Sequence, residues 1–206
     1  MMTVYYYQNG FLHTDDTPPE GAVALTAAEH EALVVGQCAG QIVMPGKDGK
    51  PVLAPLAPSH LHQWNGKEWM LDKAAASQLL AEAIDQGTDA INNLVDDAYR
   101  HVTRFWPEYQ LREQQATEYK AGGYKGELPT QVAAFAEPTG KGGKEATDII
   151  LAQAAKLRAT LEQLGILRMK KLELKNLKTA AEVDKRAAEI VAAIQPHLHA
   201  LAKVGK

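Results

Sequence analysis

Leu79, Leu80, Ala83, Ile84, Ile91, Leu94, Val95, Ala98, Val102 and Phe105 recur largely at steps of three and four. Residues at that period share one face of a helix. The segment therefore reads as a long amphipathic helix from about Lys73 to Phe105. A helix with one apolar stripe must bury it against other elements. Later residues supply the cover. Ile149, Ile150, Leu157, Leu161, Leu164 and Leu167 mark a second long helix over about Lys144 to Leu177. Val183, Ala187, Ile190, Val191, Ile194 and Leu198 mark another, opened by the capping box Thr179-Ala180-Ala181-Glu182. The link between these two is short enough to force an antiparallel hairpin. Gly87 weakens the middle of the first helix by about 1 kcal/mol relative to Ala. Pro107 kinks or restarts it, and Tyr109 to Tyr119 continue. A broken connector occupies about 120–143, with Gly122-Gly123 and a short helix from Leu128 to Ala136 that has Pro129 in its first turn.

The first 71 residues are of another kind. Val4-Tyr5-Tyr6-Tyr7 and Phe11-Leu12-His13 flank a turn at Gln8-Asn9-Gly10. Strand alternation puts Tyr5 and Tyr7 on one face and Tyr6 on the other. Ala22 to Leu25 lead into a helix capped by Thr26-Ala27-Ala28-Glu29. Ala32, Leu33 and Val35 form its expected apolar face, and Gly36 and Gly40 bracket its end. Cys38 reads as a small buried residue there. Asp48-Gly49 favours a hairpin between Ile42-Val43 and Val52-Leu53. Pro55 and Pro58 interrupt regular structure between Ala54 and His60. Asn65-Gly66 is a two-residue turn signal that pairs Trp64 with Lys67, then Gln63 with Glu68, then His62 with Trp69. The expected class is α+β. A small β-rich module with one short helix (1–71) precedes a mainly helical region with long antiparallel helices (72–206).

Composition narrows the function. The chain has 206 residues and a formal net charge of −3, with both signs interspersed. That gives no broad basic field for nucleic acid or an anionic membrane. No apolar run is long enough to span a bilayer, and no secretory signal is visible at the N-terminus. The single cysteine excludes an intramolecular disulfide and fits a cytosolic setting. Gly140 to Lys144 lack the spacing of a phosphate loop. His60-Leu61-His62 would share a face on a strand, but no Cys, Asp or Glu cluster completes a metal set. His197-Leu198-His199 diverge on a helix. No serine elbow, Cys–His pattern or dinucleotide fingerprint occurs. The expectation is a protein with no catalytic, metal or cofactor site.

The aromatic residues are then the candidates for binding another protein, since such side chains often dominate interface energy. They are Tyr5, Tyr7 and Phe11 near the N-terminus, His62, Trp64 and Trp69 in the Asn65-Gly66 hairpin, and Phe105, Trp106 and Tyr109 around Pro107. Phe105 and Tyr109 are expected on the same side of a helix.

The order of short blocks across residues 4–71 resembles the tail fibre assembly family of tailed bacteriophages. It is carried by Tyr5-Tyr6-Tyr7, by Val35-Gly36-Gln37 with Gly40 and Ile42, by Gly49-Lys50-Pro51-Val52-Leu53, and by His62-Gln63-Trp64-Asn65-Gly66-Lys67-Glu68-Trp69. Leu111-Arg112-Glu113, Gly123-Tyr124 and Leu128-Pro129 extend the likeness more loosely. The resemblance implies a chaperone of a phage or bacteriocin tail fibre. Such a protein engages the C-terminal tip of the trimeric fibre, assists its folding and trimerisation without ATP, and in some members stays on the assembled fibre. It leaves self-association open. The alternative is a structural adaptor retained at the fibre tip, where its aromatic and histidine-bearing hairpins contact receptor glycans.

Overall fold

The computed structural model of the chain describes residues 3–14 and 17–201. The class is α+β: short antiparallel strands come first, and long helices follow. The chain divides into two compact units, Met1–Leu79 and Leu80–Lys206.

In the first unit, β1 (Thr3–Tyr7) and β2 (Gly10–Thr14) form a hairpin across Gln8 and Asn9. Both turn residues have positive φ, 48° and 64°, as a two-residue turn of this hand requires. Strand β3 (Val23–Leu25) pairs with the other edge of β1, giving the order β2-β1-β3. Helix α1 (Ala27–Cys38) starts at the expected capping box. The Thr26 hydroxyl accepts from the Glu29 amide at 3.2 Å, and the Glu29 carboxylate accepts from the Thr26 amide at 2.8 Å. Strands β4 (Ile42–Pro45) and β5 (Pro51–Ala54) form the second hairpin, with Val43 opposite Leu53. Tyr6, Leu33 and Val43 are the buried centre, with Phe11, Leu25 and Leu53 against them.

The buried face of α1 differs from expectation. Leu33 and Gly36 point inward, whereas Ala32 is exposed and Val35 is 62% exposed. The cause is Gly36, which lies inside the helix rather than at its end. A Cβ built there would overlap Leu53 Cδ1, so α1 presses its glycine directly on β5. Leu33 and Gly36, three apart, share that face, and Val35 is turned outward. Cys38, expected to be buried, is exposed for the same reason.

Among the described residues the helical unit has two cores. Helix α2 (Lys73–Thr103) begins in the first unit, where the Asp72 carboxylate caps Ala75 at 2.8 Å, and runs into the second. The remaining helices are α3 (Trp106–Ala121), α4 (Thr130–Thr139), α5 (Gly143–Met169) and α6 (Ala180–Leu201). One core joins Ile91 and Val95 of α2 to Leu164 of α5 and Val183, Ile190 and Ile194 of α6. The other joins Ala116 of α3, Val132 and Ala136 of α4, and Ala146 and Ile150 of α5. Helix α5 serves both, its N-terminal half in one core and its C-terminal half in the other. It ends earlier than Leu177: residues Lys170–Asn176 wind as a tighter 3₁₀ segment that buries Leu174 completely. Helix α4 starts later than expected because Pro129 is its N-cap, with ψ at 143°.

Candidate partner-binding surfaces

The sheet separates the first three candidates. Tyr5 and Tyr7 lie on the face away from α1, and Leu12, opposite Tyr5, is on that face too. All three are half-buried. Phe11 is opposite Tyr6 and belongs to the inner face. Its ring meets Tyr6 edge-on at 6.3 Å and His30 at 4.7 Å. Burial raises the pKa of the Tyr6 phenol, which donates to Asn9 Oδ1 at 3.0 Å.

The tryptophan hairpin forms in a different register from the expected one. Strands β6 (Gln63–Trp64) and β7 (Trp69–Met70) pair Trp64 with Trp69 and Gln63 with Met70. The reason lies in Asn65. Its side-chain oxygen accepts from the amides of Lys67 and Glu68, both at 2.9 Å, so four residues rather than two make the loop. Gly66 sits at φ 90°, and a Cβ there would lie 2.9 Å from the backbone nitrogen of Lys47. The two indoles stand edge to face at 5.3 Å. Each donates within its own unit: Trp64 Nε1 to the Pro45 carbonyl at 2.7 Å, and Trp69 Nε1 to the Pro55 carbonyl at 2.9 Å.

His62 is not on the strand face with the tryptophans. It closes a turn whose residues include His60 and Leu61, so the His60–His62 pair does not share a strand face. His62 Nδ1 and Ser59 Oγ are hydrogen-bonded at 2.7 Å, and the same hydroxyl accepts from the Leu61 amide at 3.3 Å. The contact spans three residues, the local spacing at which serine side chains stabilise turns. No group of three or more His, Cys, Asp or Glu among the described residues is placed to hold a metal.

The last three candidates flank a break. Residues 104 and 105 interrupt the helix, leaving Phe105 as the N-cap of α3 at φ −114° and 47% exposed, with Arg104 over its ring at 5.3 Å. Phe105 stands just outside the helix, and its carbonyl accepts from the Tyr109 amide at 3.0 Å. Trp106 and Tyr109 are three apart inside α3. Both line a groove of about 790 Å³ between α2, α3, α5 and the end of α6. Leu94, Val102, Ile150, Leu157 and Leu198 give the groove its apolar surface.

Sequence reasoning missed the polar side chains of this groove. Arg158 of α5 meets Glu113 of α3 at 2.6 Å, tying two walls together. Arg112 pairs with Glu108 and lies 6.0 Å from the Tyr109 ring, and its Nε is buried with no hydrogen-bond partner among the described residues. Gln110 and Gln153 add side-chain amides. Charges three and four apart on a helix read from sequence as a solvated face. Only the convergence of α3 on α5 turns them into a lining.

No protein-family model and no solved structure matches the chain. Among the described residues no helix is long and apolar enough to cross a membrane. The chain is 34% identical over 131 residues to a protein of Haemophilus phage HP1 (strain HP1c1), described as an uncharacterized 23.3 kDa protein in the lys 3′ region. The match covers 64% of this chain and 66% of the relative, just short of two thirds of the relative's length. The likeness associates the chain with bacteriophage.

Proposed function

We propose that the chain is a tail fibre assembly chaperone that binds the C-terminal tip of a phage or bacteriocin fibre and assists its folding and trimerisation without ATP. The likeness to a phage-encoded protein is the observation that carries this reading, and it joins the resemblance of residues 4–71 to the fibre-assembly family. The geometry suits a binding role. A trimeric fibre buries apolar surface contributed by three chains, a slow and non-local process with exposed intermediates. A chain offering an aromatic groove and an outer sheet face with Tyr5 and Tyr7 can cover such surface with no covalent step. The test is co-expression with a tail fibre protein from the same phage or bacteriocin gene cluster. The chain is expected to co-purify with the fibre and to raise the amount recovered in soluble form. Unchanged fibre solubility with no co-purification overturns the reading. If instead the free chain binds bacterial surface glycan without the fibre, it acts as an adaptor at the fibre tip.

A further inference from the structure

We propose that the C-terminal end of α5 and the 3₁₀ segment after it form a docking surface for an acidic, apolar-bearing peptide segment of a partner protein. The surface is independent of the fibre reading above. Ile166 is 49% exposed, and Met169 and Leu172 are 50% exposed. They fall three apart, and in a 3₁₀ turn residues three apart eclipse one another. The change of winding after Met169 therefore brings Leu172 into line with Met169 and Ile166, and Lys175 continues the line. The inner side of the same stretch is used by the core. Leu164, Leu167 and Leu174 are buried, and Leu174 packs over Gly87 of α2. Single exposed apolar residues are ordinary, whereas three in one line make a contact surface.

The charges around the line choose the sign of the partner. Residues 166–178 hold five cations, Arg168, Lys170, Lys171, Lys175 and Lys178, against one carboxylate, Glu173. That carboxylate is held by Arg186 of α6 at 2.6 Å. Asp96 of α2, which lines a pocket with Arg168 and Lys171, is held by Arg100 at 2.5 Å. Lys171 Nζ donates to Asn92 Oδ1 at 2.6 Å, which fixes this ammonium beside α2. The whole chain is net negative, at −3, so the positive excess is local. Screening limits its reach to about 8 Å at physiological salt, so it acts on whatever touches the line. The helix macrodipole favours cations at the end of α5, but it gives no reason for exposed apolar side chains among them. A segment with carboxylates beside apolar residues answers both features. Nucleic acid would pair with the cations and leave the aliphatic side chains uncovered, and residues 166–178 hold no aromatic ring for a base to stack on. A bilayer surface takes a broad apolar face, and here cations flank a line one residue wide.

The experiment titrates the full chain into a fluorescein-labelled helical peptide and follows anisotropy at low salt. The peptide, about 15 residues of Glu, Ala and Leu, carries Leu on one face with Glu beside it. Saturable binding is expected. A peptide with Lys for every Glu, or with Ser for every Leu, should bind at least about tenfold more weakly. On the protein side, Arg168→Glu with Lys175→Glu should weaken binding of the acidic peptide at least about tenfold, and Met169→Ser with Leu172→Ser should do the same. Val35→Ser, on an exposed residue of the first unit, should leave binding unchanged. Melting curves establish that each variant is folded, and either pair of substitutions decides the matter if the other does not fold. Absence of binding overturns the inference, as does equal binding by the acidic and basic peptides. Equal binding by a folded charge-reversal or serine pair also overturns it. Tighter binding to phosphatidylglycerol vesicles or to single-stranded DNA than to the acidic peptide overturns it in favour of lipid or nucleic acid.

Discussion

Trp64 and Trp69 each do two things at once: they pack against the other ring and hydrogen-bond a backbone carbonyl of their own unit. Trp64→Ala is therefore predicted to destabilise the isolated chain by about 2 kcal/mol, read from the denaturant midpoint. An unshifted midpoint would mean the ring is held for a partner alone. Gly87 makes the complementary case. Helix propensity favours Ala there by about 1 kcal/mol, yet a Cβ would stand 3.0 Å from Ala187 Cβ and 3.1 Å from Leu174 Cδ1. Gly87→Leu should cost at least about 2 kcal/mol through overpacking, measured by thermal unfolding. A Gly87→Leu protein of unchanged stability contradicts the close packing of α2 on α6. The sequence showed that these residues were unusual but not why. The carbonyls that hold the tryptophans are 19 and 14 residues away, and the atoms that crowd Gly87 come from other helices.

At the scale of elements, the patterns with local causes were legible. Capping boxes, the hairpin turns at Gln8-Asn9 and Gly46–Lys50, and the helix restart at Pro107 depend on neighbours within a few residues, and all are present. The register of β6 and β7 was missed, because the Asn65 side chain outcompeted the tight turn that Asn-Gly favours. The face of α1 was missed because Leu53, from another element, decides which side a glycine can occupy. The cap of α6 gives a pH prediction. Glu182 accepts from the amides of Lys178 and Thr179, both at 3.1 Å. These bonds, with the Thr179 hydroxyl, hold its pKa below the ordinary glutamate value of 4.5. A carboxylate depressed in the folded state stabilises fully above its unfolded pKa, and that contribution is lost as pH falls through the folded one. Glu29 and Asp148 are lowered too, Glu29 chiefly by the Thr26 amide and Asp148 by Lys120 and the Tyr124 hydroxyl. The gap in melting temperature between the native chain and Glu182→Gln should be present at neutral pH and close on acidification below the carboxylate range. A gap that persists at low pH contradicts an origin in the ionised cap.

At the scale of the whole molecule, the groove depends on helices far apart in sequence, and no local pattern announced it. The stripe residues Leu94, Val102, Ile150, Leu157 and Leu198 were recognised as apolar positions, but periodicity assigns a residue to a face without saying whether that face closes into a core or opens into a groove. Trp106 and Tyr109 were legible as an aromatic cluster, and their shared wall appeared only once Pro107 had restarted the helix. The central claim, that the chain assists fibre trimerisation without ATP, is tested most directly by refolding in vitro. Denatured fibre is diluted into buffer with and without this chain, with no nucleotide present, and native trimer is measured over time. The account predicts a higher yield of trimer when the chain is present at stoichiometric concentration. An identical yield and rate in its absence would contradict it.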